Sequence, residues 1–224
     1  MKAVFLTFSR RRHRSARHNH RFSQISPKAF LAKYGVSVFL TVSLISGIVF
    51  GAVCEKNADE NLAKGLDFLF TTNLNERLSQ NFIETFCACF ASDFIFTAVV
   101  FLLGITPWGM AVLPAVMFFK GFGTGLSGGF LVGTHLFMGF LFYVVVLLPG
   151  IFIFCLMLIC QGNLAFYTSK RIFCIVFKGA ESAPLSPSST LYLHKSLIFL
   201  AVSLGCAVLD TLLWCMISPL FGFG

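Results

Sequence analysis

The sequence predicts an all-α fold, a polytopic transmembrane helix bundle of about five spans, and three observations point there. Of its 224 residues 57% are hydrophobic and only 12% are charged. With a mean hydropathy of +0.84, the chain carries more apolar surface than a soluble domain of this size can hide. The apolar residues gather in runs of roughly the 20 residues that hydrocarbon requires of a helix. The basic residues between those runs also orient them consistently. The 29 Phe, many next to aliphatics, suit helix faces turned to lipid.

Residues 1–33 form a basic N-terminal tail holding nine of the 17 Lys and Arg and no acid. Beyond it the chain is nearly neutral, with eight basic and nine acidic residues. Because the tail abuts an apolar span, anionic membrane lipids are its expected contact and nucleic acid is not. A topology signal is the plainest role for it.

The first span runs from about Tyr34 to Val53. It is too long for a signal-peptide core, no small-x-small cleavage site follows, and Val53 before Cys54 is a poor lipoprotein site. The expectation is a retained helix. Loop 55–84 is polar, with six acids against three bases, yet Leu62, Leu66, Leu69, Phe70, Leu74 and Leu78 recur near the helical period. One or two amphipathic helices there would lie on the membrane, receive a partner, or pack back on the spans.

The second span covers about Thr85 to Ile105, and a turn at Thr106 to Gly109 leads to a third over about 109–133. A fourth, about Leu136 to Cys160, is interrupted by Pro149 and Gly150, which read as a hinge. A polar segment over 167–195 precedes the fifth, about Ser196 to Ser218. Lys170, Arg171, Lys178 and Lys195 make 167–195 cytoplasmic, and four spans separate it from the basic tail. Both then share one side of a cell membrane, and loop 55–84 and the C-terminus face outward. A six-span alternative would break 109–133 at Lys120-Gly121, as half-helices or a re-entrant segment.

The glycine-rich stretch Lys120 to Gly133 admits three readings. Gly123 to Gly128 fits G-x-G-x-x-G, but a dinucleotide site needs a preceding strand and an acid about 20 residues on. No Asp or Glu occurs between Asp93 and Glu181. Gly125 to Gly129 fits G-x-S-x-G, and the Gly125 to Gly128 part resembles the nucleophile motif of rhomboid intramembrane proteases. Ser127 would need an imidazole in reach, whereas His135 lies about 12 Å further along the same helix. The third reading, Gly121, Gly125, Gly129 and Gly133 on one helix face, needs nothing further, since small residues let helix backbones approach in lipid. Left exposed, the same face would pair two copies of the chain.

Asp93, Lys120 and Asp210 each interrupt an apolar run, at a cost of several kcal/mol if turned to lipid. Lys120 paired with one or both aspartates would neutralise the group, as a structural ion pair or as part of an ion path. The eight cysteines show no C-x-x-C spacing and no adjoining His cluster, so neither metal nor cofactor is expected. Cys54, Cys87, Cys89 and Cys215 are placed where an outer-surface disulfide would form if there is one.

The stretch LLGITPWGMAVLPAVMFFKGFGTGLSGGFL, Leu102 to Leu131, resembles the central segment of the stage II sporulation protein M family of bacterial integral membrane proteins. Leu147 to Pro149 and Ile217 to Phe221 match later landmarks of that family, and the likeness covers about residues 34–221. Gly150-Ile151 stands where many members have a polar pair, and the Arg-rich tail lies outside the shared pattern. The resemblance implies a non-enzymatic anchor for peptidoglycan hydrolases, the stage II sporulation proteins D and P, during forespore engulfment. A small permease or channel component running past Asp93, Lys120 and Asp210 is the alternative, and an intramembrane hydrolase using Ser127 is a third.

Overall fold

A computed structural model describes residues 27–54, 81–178 and 186–221. They form an all-α bundle: α1 (Pro27–Cys54), α2 (Phe82–Ile105), α3 (Gly109–Phe142), a π-helical turn (Tyr143–Leu147), α4 (Leu148–Lys178) and α5 (Ser186–Phe221). Five segments among them are long and apolar enough to cross a membrane: Tyr34–Cys54, Phe82–Ile105, Gly109–Gly133, Leu136–Phe177 and Leu191–Ile217. Most of the basic tail and the whole Leu62 to Leu78 stripe lie outside the described residues.

Local chemistry sets the ends of α2. The Asn81 side chain takes an N–H of the first turn while the Glu84 carboxylate accepts the Asn81 N–H at 3.1 Å, a reciprocal cap. Glu84 therefore belongs to the helix rather than to the loop before it. At the other end Pro107 disfavours helical backbone at Thr106, which is extended (φ −91°, ψ 144°). Ser169 of α4 holds the resulting turn. Its hydroxyl donates to the Thr106 carbonyl at 2.7 Å and accepts the Met110 N–H at 2.9 Å.

The helix does not break at Lys120-Gly121, so the described residues hold five segments fit to span a membrane and not six. The break comes instead at Leu136, with φ 48° and ψ −123°. Here the chain reverses. The Tyr143 hydroxyl donates to the Thr124 carbonyl at 3.4 Å and its ring lies against Gly128. In a straight helix those 19 residues would stand roughly 28 Å apart.

Just after the reversal the Leu148 N–H bonds the Tyr143 carbonyl, five residues back. Pro149 has no N–H to offer the carbonyl of Val145, and the widened turn accommodates that gap. From there α4 runs without a break through Pro149 and Gly150 to Lys178. The start of the polar segment 167–195 is thus helical. The Ser169 bonds and Trp108, edge-on to Phe173 and Phe177 (6.5 and 6.1 Å between centroids), hold it against the turn. The Leu136–Phe177 segment is 42 residues long, about 63 Å of helix against a hydrocarbon layer near 30 Å. Its far end therefore projects past the lipid tails.

The main core brings together Leu40 and Leu44 of α1, Phe96 and Val100 of α2, Leu113 and Met117 of α3, and Phe154 and Leu158 of α4. A smaller cluster of Leu131, Phe142, Val146 and Trp214 closes the Leu136 end. On the opposite face of α1, Val38, Phe39, Val42, Ile45, Val49 and Val53 are exposed. That face suits lipid.

Candidate functional site

Two faces of α3 meet different neighbours, and the sequence-predicted residues divide between them. On the first face Gly121 lies against the Leu44 carbonyl and Gly125 against the Ile48 carbonyl. The contact is mutual, because Gly47 and Gly51 of α1 lie against the carbonyls of Phe118 and Phe122. A Cβ at any of the four would collide with backbone, so the two parallel helices touch main chain to main chain. Ser43 adds a cross-helix bond, donating to the Pro114 carbonyl at 2.6 Å.

By the spacing that sets Gly121 on residue 44 and Gly125 on residue 48, Gly129 falls level with residue 52 of α1 and Gly133 level with residue 56, which lies outside the described residues. Gly129 is half-buried and Gly133 is exposed. Sequence reasoning singled out the α3 glycines and passed over Gly47 and Gly51. The same four-residue spacing in GIVFG marks them.

On the second face stands a buried charge cluster. Lys120 Nζ lies 3.2 Å from Asp93 Oδ1, and both residues are buried. The ammonium also sits over two rings, 4.8 Å from the Phe96 centroid and 4.6 Å from that of Phe154. Asp93 and Phe96 are one turn apart on α2, and Phe154 is on α4. One cation thus ties α2, α3 and α4 together by an ion pair and two cation–π contacts. Neither aromatic was foreseen, since interhelical register decides which rings lie beside the lysine.

Asp210 of α5 completes the cluster. It lines, with Asp93, Lys120, Ser92, Thr124 and Ser127, a cavity of about 60 Å³. That is room for roughly two water molecules. Gly150 is pressed against the Asp210 carboxylate, and a Cβ there would fall on its oxygens. The structure thus places Gly150 as the seat of an acidic side chain within a continuous helix. The irregular backbone is the π turn just before it. Two carboxylates and one ammonium share the cavity, so the cluster has the means to hold water and to pass a proton among oxygen atoms.

The Ser127 hydroxyl donates to the Gly123 carbonyl of its own helix at 3.0 Å. His194 is exposed on α5, two residues from Tyr192, whose hydroxyl reaches the Phe101 carbonyl near the Thr106 end of α2. Ser127 instead lines the cavity beside Asp93, deeper in the bundle. The side chain of His135 lies outside the described residues. All eight cysteines are free, and Cys89 is buried rather than at a surface. Among the described residues no group of three or more His, Cys, Asp or Glu could hold a metal ion. Compared with known families, curated proteins and solved structures, the chain matches none of them.

Proposed function

We propose that this membrane protein is a non-enzymatic scaffold of the stage II sporulation protein M type, which anchors peptidoglycan-remodelling enzymes at the cell membrane. The observation that carries this reading is how the polar residues of α3 are used. Lys120 is paired with Asp93, Thr124 Oγ1 donates to the Lys120 carbonyl at 2.7 Å, and Ser127 is bonded within its own turn. Lys120 is thus spent on tying α3 to α2, and the two hydroxyls on carbonyls of their own helix. The likeness of Leu102 to Leu131 to the sporulation family supports the same reading. Spans two to four are joined by tight turns at residues 106–108 and at Leu136. This leaves the stretch between Cys54 and Phe82 as the natural docking element for wall enzymes, with the N-terminus cytoplasmic and the C-terminus outside.

The test is removal of residues 57–79, which leaves the Asn81–Glu84 cap of α2 in place. The scaffold reading expects loss of co-purifying hydrolases while the detergent-solubilised bundle stays monodisperse. Undiminished co-purification would overturn it. The two carboxylates in the α3 cavity favour a second reading, proton or ion passage. Flux in liposomes of the parent protein that disappears in Asp210→Asn would decide for it.

A further inference from the structure

At the end of the bundle marked by the Thr106 turn, α4 and α5 leave an open groove of about 440 Å³ between them. Tyr167, Asn163 and Lys195 line it, together with the apolar Leu164, Ile198 and Phe199. Two bonds fix the level of the groove. Ser169 is tied to the carbonyl at Thr106, and Tyr192 to the carbonyl at Phe101. Tyr167 therefore stands close to the turn. Asn163 and Lys195 lie about 9–12 Å below it at 1.5 Å per residue, and Phe199 lies another turn deeper. Tyr167 stands at the mouth, the long side chain of Lys195 can extend toward it, and Ile198 and Phe199 lie deepest, in the order a bilayer presents headgroup and chain.

Among the described residues the charge at this end has one sign. Lys170 and Lys195 are exposed, Arg171 is half-buried, and no Asp or Glu occurs between Asp93 and Glu181 or between Glu181 and Asp210. Glu181 itself lies outside the described residues. A lysine beside such a groove keeps its stem on apolar surface and extends its ammonium toward the headgroups. Tyr167, 49% exposed, suits the same boundary layer.

We infer that this groove is a binding site for one anionic phospholipid. Its phosphate rests on Lys195, and one acyl chain lies along Leu164, Ile198 and Phe199. The inference is independent of the scaffold reading, because it concerns the opposite end of the bundle from loop 55–84. A lipid held here would brace α4 against α5 on the bundle side of the Thr106 turn.

The test is native mass spectrometry of the full chain in detergent, titrated with phosphatidylglycerol or with phosphatidylcholine of identical chains. The parent should retain phosphatidylglycerol in preference. Lys195→Gln should weaken that retention about fivefold, the worth of one basic residue at an anionic surface. Ile198→Trp, which fills the exposed wall of the groove, should also weaken it. Lys170→Gln, outside the groove, should change it less than about twofold. Equal retention of the two lipids by the parent would overturn the site. So would indifference to Ile198→Trp, or equal losses in Lys195→Gln and Lys170→Gln, since either would mean a diffuse attraction by the basic tail.

Discussion

The two faces of α3 hold their neighbours by opposite means, although they belong to the same few turns. Toward α1, Gly121 and Gly125 have no side chains, and the backbones of Leu44 and Ile48 fill the space. Toward α2 and α4, Lys120 projects the longest side chain on the helix into a carboxylate and two rings. Lipid explains why both work. Apolar burial gives helices little reason to associate when the surroundings are equally apolar, so close packing and polar pairing must do it. The glycine face offers many weak contacts that vanish together if the backbones part. The lysine face offers a few strong ones that become liabilities if one partner is removed.

The lysine face should break hardest. Lys120→Met keeps the length of the side chain but leaves the buried Asp93 carboxylate without its ammonium, and removing one partner of such a pair costs about 3–5 kcal/mol. Unfolding of the purified protein in mixed micelles should show a loss of that order. Adding Asp93→Asn should recover most of it, because no uncompensated charge then remains at that pair. Asp210→Asn on the same background should recover less, since the measured ion pair is to Asp93. Additive losses in the Lys120→Met/Asp93→Asn double variant would mean that the pair contributes nothing as a pair.

The glycine face should come second. In Gly125→Val the first added carbon already meets the Ile48 carbonyl, and no rotamer change can move a backbone atom away. Either the helices separate or the strain is stored, and overpacking of this kind costs about 1–3 kcal/mol. Thermal stability in detergent, followed by size-exclusion chromatography, should fall clearly. Gly133→Val, on an exposed position, should match the parent. If the two valines behaved alike, α1 would not be seated on Gly125.

How far the sequence could be read follows the same division. The spans were legible because length and hydropathy decide them, and Asp93, Lys120 and Asp210 stood out because charges in apolar runs are costly. Which aspartate the lysine meets was not legible, because that depends on how α2 and α5 slide and rotate against α3. Pro149 and Gly150 were assigned one hinge role where the structure separates two effects. The proline accompanies the π turn, whereas the glycine makes room for the Asp210 carboxylate. The reversal itself was placed between residues 133 and 136 by span length, but its pivot was not legible, since leucine is a poor residue for positive φ. The extension of α4 past Cys160 was hidden by the polar residues 167–171, which look like loop until Ser169 is seen clamping the Thr106 turn.

The smallest effect should come from the residue that looked most like chemistry. Ser127→Ala removes a hydroxyl whose observed acceptor is the Gly123 carbonyl of its own helix, at 3.0 Å. A carbonyl one turn back already belongs to the helical ladder, so that bond adds little and joins no second element. Even interhelical hydrogen bonds in membranes average only about 0.6 kcal/mol, so the alanine variant should lose less than that in the unfolding assay. Ser169 is the contrast, because its hydroxyl ties α4 both to the Thr106 carbonyl and to the Met110 N–H of α3. A loss in Ser127→Ala as large as that of Gly125→Val would mean that the hydroxyl reaches across to another helix. The lysine face would then extend a full turn further along α3 than the ion pair alone requires.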